Sequence, residues 1–319
     1  MNSRLETRIT PFTHARADIQ AVLAAGNRVI LGKERELRLA LACLLARGHL
    51  LIEDMPGVGK TTLAQLLARA LGLSFRRVQF TSDLLPADIL GGSVLLRDQN
   101  RFEFHPGPIF SQVVLADEVN RATPRAQSAL LEAMEERQVT VDGVTHPLPQ
   151  PFFVIATQNP SHQIGTYPLP ESQLDRFLMR VRIGYPPAAA ERQLLAGGDR
   201  RELLAGLAPA VDPERVLALQ AMAAQIAVSE PLLDYLQSLL EYSRNAPEFD
   251  LGLSPRAGIA ILSAARAWAL IEGRGAVVPE DVQQVLPGVA GHRLGVTEEG
   301  SGADPDAPVR RLIEAVPIP

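Results

Sequence analysis

The stretch "EDMPGVGKTT", residues 53–62, contains the residue types that bind phosphate groups. It follows the phosphate-loop pattern G-x-x-x-x-G-K-[ST] except at Asp54, where the pattern has glycine. Gly57 and Gly59 allow the tight turn that points successive backbone N–H groups at a phosphate. Asp54 precedes this turn, so a side chain at that position is sterically tolerable.

Lys60 and Thr61 supply the ammonium and the hydroxyl of the same stretch. Such a lysine reaches the outer phosphates of a nucleotide, and such a threonine is a ligand for Mg²⁺. Of the 31 basic residues only Lys33 and Lys60 are lysines, which favours a need for a compact ammonium at position 60. We therefore predict a phosphate-binding site formed by Pro56, Gly57, Val58, Gly59, Lys60, Thr61 and Thr62.

Two adjacent carboxylates, Asp117 and Glu118, end the apolar run "VVLADE". Alone, such a pair is most often a solvated strand end. After a phosphate loop in an α/β pattern, however, ligands bind at the carboxyl ends of the strands. We then expect Asp117 to hold Mg²⁺ through water and Glu118 to polarise the attacking water.

The elements that must position these residues alternate between strands and helices. "KTTLAQLLARALG" and "TPRAQSALLEAMEER" have helical patterns, and the second has Thr123 as N-cap. This alternation predicts a parallel sheet covered on both faces. The five predicted strands are "HLLIED", "FRRVQF", "QVVLAD", "FFVIAT" and "LMRVRI".

The pattern changes at Pro186-Pro187, after which the periodicity is helical. We expect an α/β core over 1–186, including N-terminal helices, and an all-helical domain over 187–319. Two hairpins are predicted within the core: "SVLLRDQNRFEFHPG", and "QVTVDGVTHPL" with its turn at Asp142-Gly143.

Composition narrows the class of protein. The net charge of −5 and pI near 5.8 argue against a protein whose main task is to bind nucleic acid. No stretch approaches 18 uncharged apolar residues, and the first residues do not resemble a signal peptide. We expect a cytoplasmic protein with no integral membrane segment. Cys43, the only cysteine, is expected to be a buried and unreactive thiol.

Several motifs in a fixed order resemble the MoxR-type AAA+ ATPases, from about residue 17 to about 294. The resemblance implies a P-loop NTPase core with a five-stranded parallel sheet, a helical lid, and ATP and Mg²⁺ as cofactors. In that family the loop begins with an "ED-P-GK" form, which accounts for Asp54. The motifs are "EDMPGVGKTTLA", "GPIF", "VVLADEVNRATPRAQSALLEAMEERQVT", "ATQNP" and "GTYPLPESQLDRF".

The resemblance also implies roles for two polar residues. Asn159 of "ATQNP" matches sensor 1, which positions the attacking water, although by itself an Asn before Pro would be read as a turn. Arg176 of "LDRF" matches the arginine finger that acts in the neighbouring subunit's site. Its alternative is a surface ion pair, and Arg180 is close enough to leave the choice of finger open.

Arg256 stands in the first turn of a helix capped by Ser254 and Pro255, where a cation opposes the helix dipole. An anionic partner would remove that cost. The resemblance implies a sensor 2 arginine that contacts ATP from the lid of the same chain. It also implies that the segment "VILGKE" lines the adenine, with Val29, Ile30 and Gly32 as candidates.

The resemblance implies that the catalytic residues are Glu118, Asn159, Arg176 and Arg256. ATP hydrolysis would drive chaperone-like remodelling, maturation, or metal or cofactor insertion in a client protein complex. The trans finger implies a ring, expected to be a hexamer, and a partner with a von Willebrand A domain is possible. Two alternatives remain: a nucleotide-switched scaffold with little hydrolysis, and a chelatase-type or DNA-acting motor, of which the acidic balance disfavours a helicase.

Overall fold

A computed structural model describes residues 3–98, 100–159, 166–197, 200–296, 304 and 306–318 of the 319-residue chain. Residues 160–165, which include the end of "ATQNP" and the start of "GTYPLPESQLDRF", lie outside this part, as does Gln99 in the first predicted hairpin.

Helices make up most of the described chain. They are α1 Ser3–Val29, α2 Glu34–Leu45, α3 Lys60–Ala70, α4 Pro86–Leu90, α5 Pro124–Glu136, α6 Glu171–Leu174, α7 Ala188–Ala196, α8 Arg200–Ala205, α9 Pro213–Ala224, α10 Glu230–Asn245, α11 Pro255–Ile271, α12 Pro279–Ala290 and α13 Ala307–Ala315. The strands are β1 Leu50–Glu53, β2 Phe75–Gln79, β3 Gly91–Leu96, β4 Arg101–Pro106, β5 Val113–Asp117, β6 Gln138–Val141, β7 Val144–Pro147, β8 Phe153–Gln158, β9 Met179–Val181, β10 Phe249–Leu251 and β11 Gly295–Val296.

The central sheet has five parallel strands in the order β2-β5-β8-β1-β9. These are the five strands that the sequence predicted. The register pairs Gln79 with Asp117 across β2 and β5, and Glu53 with Gln158 across β1 and β8. The carboxyl ends of four strands therefore meet at one edge, where the first residues of the phosphate loop follow β1.

Apolar residues cover both faces of the sheet, as a parallel sheet requires. One cluster fills the face against α4 and α5. The other joins the opposite face to α1, α2 and α3 and continues without a break into α9, α10, α11 and α12. Cys43 lies in this second cluster, fully buried, and burial raises the pKa of its thiol, as an unreactive role requires.

Two hairpins project from the core as predicted. In the β6–β7 turn Asp142 (φ 51°) and Gly143 (φ 79°) both have the positive φ of a type I′ turn. The β3–β4 hairpin contacts it through Phe104 and His146, whose rings stack with centroids 4.0 Å apart. Phe102, by contrast, is 71% exposed.

The region beyond residue 187 is helical as predicted, with one addition. Strands β10 and β11 form a short antiparallel pair that brings Phe249 opposite Val296. Strands of three and two residues are too short to show an alternating pattern, so the sequence gives no signal for them. Among the described helices, none is long and apolar enough to cross a membrane.

Candidate active site

The phosphate loop links β1 to α3 and lies at the carboxyl edge of the sheet. Gly57 (φ 87°) and Gly59 (φ 99°) both adopt the left-handed conformation that glycine tolerates best, although a Cβ on either would meet no neighbour. The requirement for glycine is therefore conformational. Beside the loop is a cleft of about 320 Å³, lined by Pro56, Gly57, Gly59, Lys60, Thr61, Thr62, Asp117, Glu118 and Asn159.

Lys60 lies at the bottom of the cleft and is 8% exposed. Its Nζ donates to the backbone oxygen of Asp54 at 2.6 Å and to Oδ1 of Asn159 at 3.0 Å. Burial lowers the pKa of Lys60, while the charges of Asp54, Asp117 and Glu118 act in the opposite direction. Both acceptors are neutral, so a phosphate oxygen could replace either of them as a stronger partner.

Asp117 is held by two donors at the end of β5. The Thr157 hydroxyl donates to its Oδ1 at 2.5 Å, and Arg77 donates to its Oδ2 from Nε at 3.0 Å and from Nη2 at 2.6 Å. Asp117 is 7% exposed, whereas the side chain of Arg77 is 49% exposed. One oxygen of the expected Mg²⁺ ligand is thus paired with a half-exposed guanidinium.

Glu118 follows in a left-handed conformation (φ 57°, ψ 47°), which is strained for a side chain other than glycine. Its N–H donates to the Thr157 hydroxyl oxygen at 2.9 Å, which helps to hold that conformation. Its carboxylate accepts from Asn159 at 3.1 Å and from Gln79 at 3.0 Å, and pairs with Arg121 at 3.1 Å. The carboxylate therefore faces the cleft in a fixed position.

Asn159 is 3% exposed and joins the two halves of the site. Its Oδ1 accepts from Lys60, and its Nδ2 donates to Glu118. The structure thus brings together the loop lysine, the two carboxylates and the amide that the sequence singled out. Sequence reasoning missed Arg77, Gln79, Arg121 and Thr157, which contact the carboxylates from neighbouring strands and from the turn after Glu118.

The remaining residues of the predicted phosphate and adenine sites differ in exposure. Val58 packs against the hydrophobic core, and Val29 is 3% exposed within it. Ile30 is half-buried and Gly32 exposed, and Gly32 lies against Pro187 and Ala190. Of the adenine candidates, only Ile30 and Gly32 therefore reach the surface.

Arg176 and Arg256 are not among the described residues that line the cleft. Both pair with Glu135 at the end of α5, at 3.0 Å for Arg176 and 3.7 Å for Arg256, and Arg256 also pairs with Asp175 at 3.5 Å. The sequence-based expectation that Arg256 contacts the phosphates of its own chain stays a prediction. In this structure Arg176 and Arg256 lie together at Glu135, and these two side chains form what is called here the arginine patch.

Arg180 has a different environment from Arg176. Its guanidinium pairs with Glu53 at 3.3 Å and donates to the backbone oxygen of Gly291 at 2.7 Å. It therefore joins β1 to the chain that follows α12. Burial lowers the pKa of Arg180, with partial compensation from Glu53. These bonds hold the Arg180 guanidinium within its own chain, and the assignment of Arg176 as the finger stays a prediction.

The arrangement suits Mg²⁺, because that ion takes one or two protein oxygens and keeps the rest of its shell for phosphate and water. The Thr61 hydroxyl and the Asp117 carboxylate line the same cleft. The described residues contain no cluster of three or more His, Cys, Asp or Glu side chains that would hold a metal without a nucleotide. Parallel sheet, phosphate loop and paired carboxylates together define a P-loop nucleotide-binding protein.

Comparisons with known proteins give the family. The model described as "ATPase family associated with various cellular activities (AAA)" matches residues 49–179, and that described as "AAA lid domain" matches residues 241–312. Chaperone MoxR1 of Mycobacterium tuberculosis is 38% identical, covering 92% of this chain and 80% of that protein. Protein MoxR of Paracoccus denitrificans is 36% identical, covering 88% and 89%.

A crystal structure of an inferred ATPase from Cytophaga hutchinsonii superposes with a TM-score of 0.89 at 32% identity and covers 99% of both chains. YeaC of Bacillus subtilis, a protein without an assigned function, is 45% identical over 92% of each chain. The chain belongs to the MoxR family of AAA+ ATPases. It is accordingly an enzyme that binds nucleotide and hydrolyses ATP, with an AAA+ core and a helical lid.

Proposed function

We propose that the cleft between the phosphate loop and the two carboxylates is the site of Mg-ATP hydrolysis. Lys60 neutralises charge on the outer phosphates, and Thr61 and Asp117 hold Mg²⁺, which supplies charge compensation when bound. Glu118 polarises the attacking water and accepts its proton, while Asn159 orients that water. The observation that carries this proposal is the Lys60–Asn159–Glu118 chain of hydrogen bonds, which joins the phosphate-binding and water-activating residues.

The arginine patch supports a second part of the proposal. Arg176 and Arg256 share Glu135 and lie away from the cleft of their own chain, so we assign both to the cleft of a neighbouring subunit. There they would stabilise negative charge that develops in the transition state. AAA+ ATPases characteristically assemble as rings, and we propose a hexameric ring in which each cleft is completed by the next subunit.

The relatives and the exposed hairpins support a proposal for the cellular role. A close relative is named a chaperone, and the β3–β4 hairpin presents Phe102 to solvent beside the β6–β7 hairpin. We propose that a core over 1–186 and a lid over 187–319 remodel a client complex in the cytoplasm. Maturation or metal insertion in that complex, with a von Willebrand A protein as partner, is the form of this role that we favour.

Glu118→Gln tests the catalytic part. The amide can still accept hydrogen bonds but cannot take a proton, so the rate of ATP hydrolysis should fall by about 100-fold or more while ATP is still bound. Steady-state hydrolysis and equilibrium binding of ATP measure the two quantities. Lys60→Ala, the matched control, should weaken binding itself.

The same variant separates the enzyme from a nucleotide-switched scaffold. If Glu118→Gln with ATP supports the client's maturation as well as the wild-type protein does, hydrolysis is not needed and the scaffold is correct. Loss of maturation with retained ATP binding supports the remodelling ATPase. Client capture by Glu118→Gln in ATP, compared with capture by Lys60→Ala, would identify the complex for this assay.

A further inference from the structure

Asp54 stands where the phosphate-loop pattern has glycine, and its carboxylate accepts three backbone N–H groups. Oδ1 accepts the N–H of Met55 at 2.8 Å. Oδ2 accepts two more, from Ile183 at 2.7 Å and from Gly184 at 2.6 Å. A carboxylate with three backbone donors is a strong cross-link, because each hydrogen bond is charge-assisted. It joins the first residue of the loop to the chain that leaves β9.

The segment that Asp54 holds, residues 183–187, is fixed at further points beside the loop. Gly184 has φ 64° and turns the chain. The backbone oxygen of Tyr185 accepts from Lys33 at 2.8 Å, and the Tyr185 hydroxyl donates to the Met55 sulfur at 3.7 Å. The segment therefore contacts both the loop, at Met55, and the start of α2, at Lys33.

The backbone of the same residue holds the loop lysine. The carbonyl oxygen of Asp54 accepts from Lys60 Nζ at 2.6 Å, and its N–H donates to the Gln158 backbone oxygen at 3.2 Å. The side chain of Asp54 thus binds residues 183–184, while its backbone oxygen binds the Lys60 ammonium. A glycine here would keep the second contact and lose the first.

We propose that Asp54 is a positioning residue for ATP hydrolysis, whose carboxylate anchors the start of the phosphate loop to residues 183–184 and thereby fixes the Lys60 ammonium for the incoming phosphates. The inference rests on the proposed assignment of the cleft as the ATP site. With glycine at position 54, the N–H groups of Ile183 and Gly184 lose a partly buried acceptor, and the loop loses this link to residues 183–184. Preorganisation of a charged group is costly to lose even when the group itself remains.

Asp54→Gly is the sharpest test, because it restores the glycine of the general pattern. If Asp54 were merely a residue that the loop accepts in place of glycine, this change would leave catalysis unaltered. We expect instead that kcat/KM for ATP falls by about 10- to 100-fold in Asp54→Gly. The kcat/KM of Asp54→Asn should lie between those of Asp54→Gly and the wild type, because an amide oxygen still accepts some of the backbone hydrogen bonds. Asp234→Asn on the exposed side of α10 is the control for loss of one carboxylate charge and should leave kcat/KM unchanged.

Hydrogen exchange of a peptide that covers residues 183–184 supplies a readout that loss of activity alone does not. The amides of Ile183 and Gly184 should exchange faster in Asp54→Gly, while peptides from α10 and α11 exchange as in the wild type. Wild-type kcat/KM in Asp54→Gly would overturn the proposal, as would unchanged exchange at 183–184. Hydrolysis that survives Lys60→Ala would instead refute the assignment of the cleft, so the two failures are distinguishable.

Discussion

At the scale of single residues, the Thr157 hydroxyl decides how the two carboxylates are presented. It donates to Asp117 at 2.5 Å and accepts the N–H of Glu118 at 2.9 Å, and the side chain is fully buried. A hydroxyl has one proton to give, and here that proton and one lone pair are both used. Thr157 thus orients the predicted Mg²⁺ ligand and supports the left-handed backbone of Glu118.

Replacement of Thr157 by valine, which has the same shape, should remove both bonds and leave the Asp117 oxygen and the Glu118 N–H without this partner. We expect a loss of about 1–3 kcal/mol in the free energy of unfolding and a fall of at least about 10-fold in the rate of ATP hydrolysis. Denaturant unfolding and steady-state hydrolysis measure these effects. Thr157→Ser keeps the hydroxyl and should recover most of the rate; equal activity in the valine and serine variants would contradict this role.

The sequence predicted several residues that line the cleft but not those that contact the two carboxylates from neighbouring strands. Lys60 and Asp117 are recognisable because a glycine turn or an apolar strand directly precedes them, whereas Asn159 is recognisable only through the resemblance of "ATQNP" to a family motif. Arg77 and Gln79 belong to an ordinary strand pattern, and their contact with the carboxylates depends on β2 lying beside β5. Strand order is a tertiary property that residue spacing does not contain.

At the scale of elements, the buried side chain of His49 links β1, β8 and α5. The Val154 N–H donates to its Nδ1 at 3.0 Å, so the proton is on Nε2, which donates to the Met134 oxygen at 3.2 Å. The bond from Val154 requires the neutral ring, because a protonated Nδ1 cannot accept a hydrogen bond. The pKa of His49 is lowered from 6.5 to about 4, and the largest cause is burial of the ring.

This pKa predicts a stability that falls on acidification. Between pH 6.5 and pH 4 the unfolded chain binds a proton at His49 that the folded chain does not, so the free energy of unfolding falls as the pH falls, by on the order of 3 kcal/mol. Burial also lowers the pKa of His292, which acts in the same direction. Denaturant unfolding between pH 6.5 and pH 4 should show that the free energy of unfolding depends less on pH in His49→Gln than in the wild type.

The exposed His105 supplies the matched control. His105→Gln makes the same change at the surface and should leave the pH dependence of the wild type intact. If His49→Gln and the wild type lose stability equally between pH 6.5 and pH 4, the neutral, buried state assigned to His49 is wrong.

Local signals predicted most elements well because the residues that start and stop them act locally. Thr123 and Ser254 accept hydrogen bonds from the N–H three residues on, with proline next in each case, as their positions predicted. Burial along α10 is less regular than a run of leucines suggests. Leu232 and Leu239 are buried, but Leu233 is 38% exposed, because the helix packs over a narrow face.

At the scale of the whole molecule, the arginine patch predicts that two inactive variants should complement each other. Lys60→Ala has a damaged cleft but an intact patch, and Arg176→Ala has the reverse. If Arg176 acts in the neighbouring subunit, an equal mixture forms roughly one quarter of its interfaces with both parts intact. ATP hydrolysis should therefore reappear in the mixture, although each variant alone is nearly inactive.

A second mixture controls for assembly effects. Lys60→Ala and Glu118→Gln both damage the cleft, so no interface between them is complete and their mixture should stay inactive. Arg256→Ala should behave like Arg176→Ala in the first mixture if both arginines act in trans. Recovery with Arg176→Ala but not with Arg256→Ala would return Arg256 to a role within its own chain.

The hydrophobic cluster that runs from the sheet into the lid has a mechanical consequence. Leucines of α2 pack against α11, and exposing one such side chain costs about 1.5–3 kcal/mol. Arg293 adds hydrogen bonds from the end of the lid helices to Asp175 and to the backbone oxygens of Phe177 and Leu178. Core and lid of one chain are thus joined by one continuous hydrophobic cluster. In the proposed ring we therefore expect hydrolysis to tilt whole subunits against one another rather than to bend a single chain.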